Sequence, residues 1–286
     1  MLRLSMRIEG LRAALMMAAV LLVGACSSGL ISNAPEAPDP YAISSAANLA
    51  SLTDVVTRNP NDPQAYNMRG SVYGQTGFHK EALEDFNRAI SLDPKFAQAY
   101  ANRGLVHRQI NRLELALADY NRALAIDPNY ASAFLGRGVV HRQRGQLVNA
   151  LNDFNKTIAI RPDNAQAYYN RGLLYQNQRQ HQFAIDDFST AITLNPMPEA
   201  LIARALSYLA VNNIQSAATD LDEAVQANPA NLQGWVARGL AYERLNNRER
   251  AAGSYARALV LQRDHAAAKA GFARVGGVYG KQYQTF

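Results

Sequence analysis

One cysteine, Cys26, occurs in 286 residues, so no intrachain disulfide can form and no multi-cysteine metal site can be built. Histidines number five and none is spaced as a set of metal ligands. There is no glycine-rich phosphate loop and no Ser-His-Asp grouping in a recognisable context. The chain therefore offers no catalytic, cofactor-binding or metal-binding residues, and the expectation is a protein that is not an enzyme and needs no cofactor. No apolar run is long enough to span a bilayer: residues 13–23 make up about 11 apolar positions where about 20 are needed. Neither sign of charge dominates. Lys and Arg number 29 against 23 Asp and Glu, and part of the +6 excess sits in the first 25 residues. Interspersed acids and a small excess exclude a nucleic-acid footprint. Glycine, proline and aromatics are in ordinary supply while alanine is abundant, which favours helices over strands.

What is present begins with Arg3, Arg7 and Arg12, the apolar run, then Gly24, Ala25 and Cys26. That is the layout of a secretory signal peptide over residues 1–25. The stretch Leu22-Val23-Gly24-Ala25-Cys26 resembles a bacterial lipobox, which implies cleavage before Cys26 and attachment of a lipid to its thiol. An ordinary signal peptide with an unrelated cysteine is the alternative. Ser27 and Ser28 lack the aspartate that holds enterobacterial lipoproteins at the inner membrane, so the resemblance implies an outer-membrane anchor facing the periplasm. Residues 26–43 carry three prolines and no helical period, and read as a flexible tether reaching about 50 Å.

From there the sequence repeats every 34 residues. An aromatic or large apolar residue precedes an Arg-Gly or Arg-Ala pair at Arg69, Arg103, Arg137, Arg171, Arg204 and Arg238. Each pair is followed by a small residue, a large apolar residue and a second small residue at fixed offsets: Ala82, Phe86 and Ala89 in the first unit, Ala251, Tyr255 and Ala258 in the sixth. Proline closes all but the last unit. Apolar spacings of three and four in two blocks predict two antiparallel helices per unit, each hairpin leaving an apolar face for the next to cover. The motif resembles the tetratricopeptide-repeat (TPR) family. The expected fold is all-α, a right-handed superhelical solenoid of about six TPR hairpins with capping helices. Units are expected at residues 63–96, 97–130, 131–164, 165–197, 198–231 and 232–265. A half-repeat helix is expected at 44–59, a capping helix at 266–275 and a mobile tail at 276–286. The fifth unit starts one residue early, at Met197-Pro198, where a local change in curvature is expected.

An Asp lies sixteen residues after the Arg in five units, pairing Arg69 with Asp85, Arg103 with Asp119, Arg137 with Asp153, Arg171 with Asp187 and Arg204 with Asp220; the sixth has Ser254. A ladder of structural ion pairs is the first reading and a ligand-binding arginine row the second. His107 and His141 stand where other units carry tyrosine, each followed by Arg and Gln. They read as tolerated replacements, with Arg108 and Arg142 forming a basic patch suited to a carboxylate or phosphate.

The TPR resemblance implies that the first helices line a groove and that partners contact Asn67; Ala101, Leu105 and Arg108; Leu135, Val139 and Arg142; Tyr169 and Leu173; Ile202 and Leu206; Val236 and Leu240. The lysine-asparagine carboxylate clamp of chaperone-binding relatives is not reproduced. A partner helix, an extended peptide, a second copy or the chain's own tail are the candidate occupants. The whole resembles NlpI-type TPR lipoproteins, which implies a scaffold recruiting cell-wall or protein-processing enzymes to the envelope and leaves a homodimer open. The alternative is an assembly factor that pilots a secretin or pilus machine.

Overall fold

Each unit folds as a helix pair because its apolar positions recur at helical spacing and its turns carry residues that leave the right-handed region. The structure is a computed structural model and describes residues 40–283. Residues 1–39, which hold the expected signal peptide, Cys26 and most of the expected tether, and residues 284–286 lie outside the described residues. Among the described residues there are fourteen helices and no strand. Helix α1 (Pro40–Arg58) precedes six hairpins: α2 (Pro63–Gln75) with α3 (His79–Leu92), α4 (Ala97–Gln109) with α5 (Leu113–Ile126), α6 (Ala131–Gln143) with α7 (Leu147–Ile160), α8 (Ala165–Asn177) with α9 (His181–Leu194), α10 (Pro198–Ala210) with α11 (Ile214–Ala227), and α12 (Leu232–Arg244) with α13 (Arg248–Leu261). Helix α14 (Ala266–Arg274) ends the stack. Helix α1 begins at Pro40, inside the segment expected as tether, since proline at the first helical position gives up only an N–H that has no partner there.

The turn inside each hairpin repeats one backbone device. Gly77, Asn111, Gly145, Arg179, Asn212 and Asn246 all have φ between 58° and 84°, the left-handed conformation that ends a helix and reverses the chain. Glycine and asparagine adopt it at little cost; Arg179 is the exception. Between hairpins, Asp93 and Asp127 accept from the N–H two residues on at 2.9 Å, fixing the turn whose proline ends the helix. The loop before α10 is one residue shorter than its counterparts, and α10 starts directly at Pro198.

The core is a row of equivalent side chains. Phe86, Tyr120, Phe154, Phe188, Leu221 and Tyr255 are each at most 2 % exposed, flanked by buried alanines at the small positions. Full burial of one such side chain contributes about 1.5–3 kcal/mol. Successive first helices (α2, α4, α6, α8, α10, α12, α14) touch one another, while no contact joins successive second helices. The first helices therefore form the closely spaced inner wall. At the ends, α1 packs Leu52 and Val56 onto α2, and α14 covers α13. The tail was expected to be mobile, yet Tyr279 and Tyr283 pack their rings on Phe272 at 5.0 and 6.0 Å, and the Val278 N–H donates to the Tyr283 hydroxyl at 2.7 Å. Two aromatics six residues or less beyond Gly277 can fold back because Gly276 turns the chain at φ 73°.

Candidate functional site

Five arginines of the first helices, Arg69, Arg103, Arg137, Arg171 and Arg204, donate through Nε and a terminal nitrogen to both oxygens of Asp85, Asp119, Asp153, Asp187 and Asp220, at 2.6 to 2.9 Å. The aspartates are buried, and bidentate geometry is the strongest that guanidinium and carboxylate make. These bonds raise the pKa of Arg69, Arg103, Arg171 and Arg204 against the opposing effect of burial. The arginines also reach backward. Arg103, Arg137 and Arg171 donate to Asn87, Asn121 and Asn155 of the preceding repeat at 2.7–2.8 Å, and Arg204 to Ser189 at 3.0 Å. Each of these four guanidinium groups thus ties its own hairpin and fastens it to the one before.

The sixth unit keeps this plan with its acid moved. Arg238 is 1 % exposed and donates to the Ser254 hydroxyl at 2.8 Å where a carboxylate would otherwise stand. Its carboxylate comes from behind: Asp222 of α11 accepts from Nε at 2.6 Å. Tyr242 donates to the same carboxylate at 2.6 Å and Arg250 donates to Tyr242 at 2.6 Å.

On the inner wall the candidate residues divide into two sets. Asn67, Ala101, Val139 and Ile202 are no more than 9 % exposed, so the next helix and not a guest covers most of their surface. Asn67 is fastened there by Asn102, whose amide donates to its Oδ1 at 3.0 Å. The physical reason is the close approach of successive first helices, which closes over the residues between them. Leu105 is exposed, and Arg108, Leu135, Arg142, Tyr169, Leu173, Leu206, Val236 and Leu240 are part-exposed. Three cavities follow one another along this wall. One of about 280 Å³ lies over α2 and α4, one of about 410 Å³ over α4, α6 and α8, and one of about 150 Å³ over α8, α10 and the start of α12. Leu105 and Asn102 line both the first and the second, and Tyr169 both the second and the third, so they form one groove. Val236 and Leu240 pack against the C-terminal core and line none of the three.

Polar residues in the groove are mostly spent on joining repeats. Gln176 donates to the Ala203 carbonyl and the Ser207 hydroxyl at 2.8 Å, and Arg244 to the Leu209 carbonyl at 2.9 Å. Arg108 and Arg142 stand 68 and 34 residues before Gln176, at the equivalent site, and behave differently. The Nε of each is buried without a hydrogen-bond partner, and among the described residues neither guanidinium has a carboxylate within ion-pair distance. Burial lowers the pKa of Arg142; Tyr169 opposes the shift and the like charge of Arg108 adds to it. Beside them the Tyr120 hydroxyl is buried and unbonded. Burial pushes that phenol up to about 12, with the Arg108 guanidinium pulling the other way. Tyr120, Ser132 and Asn170, which also line this cavity, carry no motif in sequence; the only signal is tyrosine where three other repeats have phenylalanine.

The histidines face the ion-pair ladder and not the groove. His107 Nε2 lies 3.8 Å from Asp119, and His141 Nε2 lies 3.9 Å from Asp153 while its Nδ1 meets Gln146 at 2.6 Å. Burial lowers the His107 pKa below its ordinary 6.5; Asp119 opposes this, and Arg103 and Arg112 reinforce it. Above that ordinary value both folded and unfolded chains hold the imidazole neutral. Below it the unfolded chain takes the proton first, so stability falls as pH drops, by at most about 1.4 kcal/mol per pH unit for one proton. In melting curves recorded between pH 7 and 5, His107→Tyr, the residue at four equivalent sites, is expected to lose part of the acid-side decline. An unchanged pH dependence would show that His107 does not contribute to it. Among the described residues no group of three or more His, Cys, Asp or Glu is placed to hold a metal ion.

Comparison with known proteins places this geometry. Tetratricopeptide-repeat models match residues 67–131 and 202–270, a second matches 165–197, and a TPR-repeat model matches 140–178. The sequence matches no curated protein. Among solved structures, the anaphase-promoting-complex assembly Cut9–Hcn1 superposes with a TM-score of 0.70 at 18 % identity over 85 % of this chain, which spans half the length of that one. PilF of Pseudomonas aeruginosa superposes at 0.69 with 20 % identity over 74 % of this chain and 97 % of its own. YrrB, described as a TPR protein with an unusual peptide-binding site, superposes at 0.56 with 25 % identity over 66 % of this chain and 97 % of its own.

Proposed function

Because the chain belongs to the tetratricopeptide-repeat family, whose members generally mediate protein–protein interactions, we propose that it is a non-catalytic scaffold that holds a partner protein or peptide in the groove of its first helices. The observation that carries the reading is the continuous inner wall, where Leu105, Tyr169 and Leu173 line cavities that no part of the described chain fills. The likeness to YrrB supports a peptide as occupant. The sequence before the domain supplies the rest of the reading: a lipid on Cys26 would tether the scaffold to the bacterial envelope, facing the periplasm from the outer membrane, where it would recruit cell-wall or protein-processing enzymes.

One set of experiments in living cells tests both halves. With a photo-crosslinking residue at Leu206, adducts are expected that do not form from Val148, which is 72 % exposed on α7, away from the groove. Tyr169→Ala with Leu173→Ala should reduce those adducts about tenfold or more while helicity and melting stay close to the parent, since both side chains are part-exposed. Cys26→Ser should move the chain from the membrane to the soluble fraction. Equal adducts from Val148, or capture unaffected by the double substitution, would remove the groove from the proposal; a membrane-bound Cys26→Ser chain would remove the lipid. Cell-wall hydrolases or proteases in the adducts support the recruiting role, secretin subunits the assembly role, and a second copy of the chain a homodimer.

A further inference from the structure

Among the described residues, the arginines of the first helices are almost all accounted for. Arg69, Arg103, Arg137, Arg171, Arg204 and Arg238 each hold a carboxylate, and Arg244 a backbone carbonyl. Arg108 and Arg142 are the exceptions, and they sit on consecutive repeats in one cavity of about 410 Å³. Gln176, at the same site one repeat further on, reaches across to the next helix and bonds there; the two arginines make no such bond. An unneutralised, partly desolvated cation costs stability, and two that repel one another cost more. Another polar group of the cavity, the Tyr120 hydroxyl, belongs to a side chain only 1 % exposed and is buried without a hydrogen-bond partner of its own. Three donors with unmet capacity converge on one space.

We infer that this cavity receives the carboxylate of an acidic residue in a bound peptide, with Arg108 and Arg142 as its cations and the Tyr120 hydroxyl as a further donor. A carboxylate has the planar pair of oxygens that guanidinium groups bind bidentately, and the ladder on the opposite side of the same helices uses that pairing five times. The remaining walls favour a peptide over a free ion. Leu105 and Leu135 provide apolar surface for the neighbouring side chains. Asn102 and Asn170 line the same cavity and spend their amide N–H groups inside the protein, at Asn67 and at the Gln166 carbonyl. Their amide oxygens are left to accept from a peptide backbone. The assignment rests on the groove being the partner-binding face and adds what that face reads: one acidic side chain in an apolar setting.

The test uses the full chain without its signal peptide and two pools of capped five-residue peptides of Leu, Val, Ala and Tyr, one with a central glutamate and one with a central glutamine. The Nε–H resonances of Arg108 and Arg142, identified from Arg→Gln variants, are followed by NMR. The glutamate pool is expected to shift both resonances saturably, and the glutamine pool to bind about tenfold or more weaker. Arg108→Gln with Arg142→Gln should abolish the difference between pools without lowering the melting temperature, because among the described residues neither guanidinium holds a carboxylate. Equal binding of the two pools, binding of neither, or a preference that survives in the double variant would overturn the inference. So would inorganic phosphate shifting both resonances more strongly than the glutamate pool, which would make the site a phosphate receptor. Crosslinking from Leu206 separates the two readings: adducts that persist in the Arg108→Gln, Arg142→Gln chain leave the groove standing and the carboxylate site refuted.

Discussion

Replacing Asp222 with asparagine is expected to destabilise the C-terminal repeats by about 3 kcal/mol, although asparagine is what three preceding repeats carry at that site. Asn87, Asn121 and Asn155 suffice there because their arginines already hold a carboxylate sixteen residues ahead. Arg238 finds Ser254 at that place, so Asp222 is the carboxylate that neutralises a guanidinium only 1 % exposed. Removing the charge strands the cation and also breaks the acceptor of the Tyr242 hydroxyl. The compensating change is legible in the other repeats: Ser254→Asp in the Asp222→Asn background restores their Asn–Arg–Asp arrangement and should recover most of the loss. Urea unfolding followed by circular dichroism measures the coupling. Hydrogen exchange should place the loss in α12 and α13, since a solenoid repeat contacts chiefly its neighbours. A cost within about 0.5 kcal/mol, the range of an ordinary surface substitution, would mean that Arg238 is not held by charge.

That pair also shows where reading the sequence stops. The fold was legible because Arg69, Phe86 and their counterparts recur at one period, and a pattern repeated six times needs no three-dimensional information to be recognised. The forward ion pairs were legible on the same ground. Asp222 was not, because it departs from the repeat once and its role appears only when α11 and α12 are packed together. The groove divides in the same way. Which residues lie on the inner face of a first helix is what the TPR resemblance implies. Whether Asn67 or Ile202 is open to a guest depends on how closely two first helices approach, which spacing does not reveal. Arg108 and Arg142 were visible as a basic patch. That the Nε of each is buried without a hydrogen-bond partner, whereas the Gln176 amide at the equivalent site has two, is a property of the packed helices alone. The tail reads as polar and glycine-rich, and its return to Phe272 depends on two tyrosines that match no repeat position.

Gly136→Ala is expected to destabilise the protein by about 2 kcal/mol, against the usual sign of this change in a helix interior, where alanine gains up to about 1 kcal/mol. A Cβ at Gly136 would lie 2.4 Å from the Tyr120 ring and 2.6 Å from its hydroxyl. The arrangement recurs once: Gly271 faces Tyr255 with a Cβ approach of 2.3 Å. Elsewhere the facing residue carries a side chain, Asn102 opposite Phe86, Ala203 opposite Phe188 and Ala237 opposite Leu221. Glycine therefore stands where the preceding repeat has tyrosine, and the missing methyl makes room for the phenol. Tyr120→Leu in the Gly136→Ala background reproduces the Leu221–Ala237 pair and should recover at least about 1 kcal/mol of the loss, a coupling read from the four unfolding midpoints of the cycle. Additive costs would mean that ring and glycine are not matched. The match bears on the groove as well. The space left by Gly136 is the space in which the Tyr120 hydroxyl sits beside Arg108, so the same glycine that relieves the packing also admits an uncharged donor to the cavity.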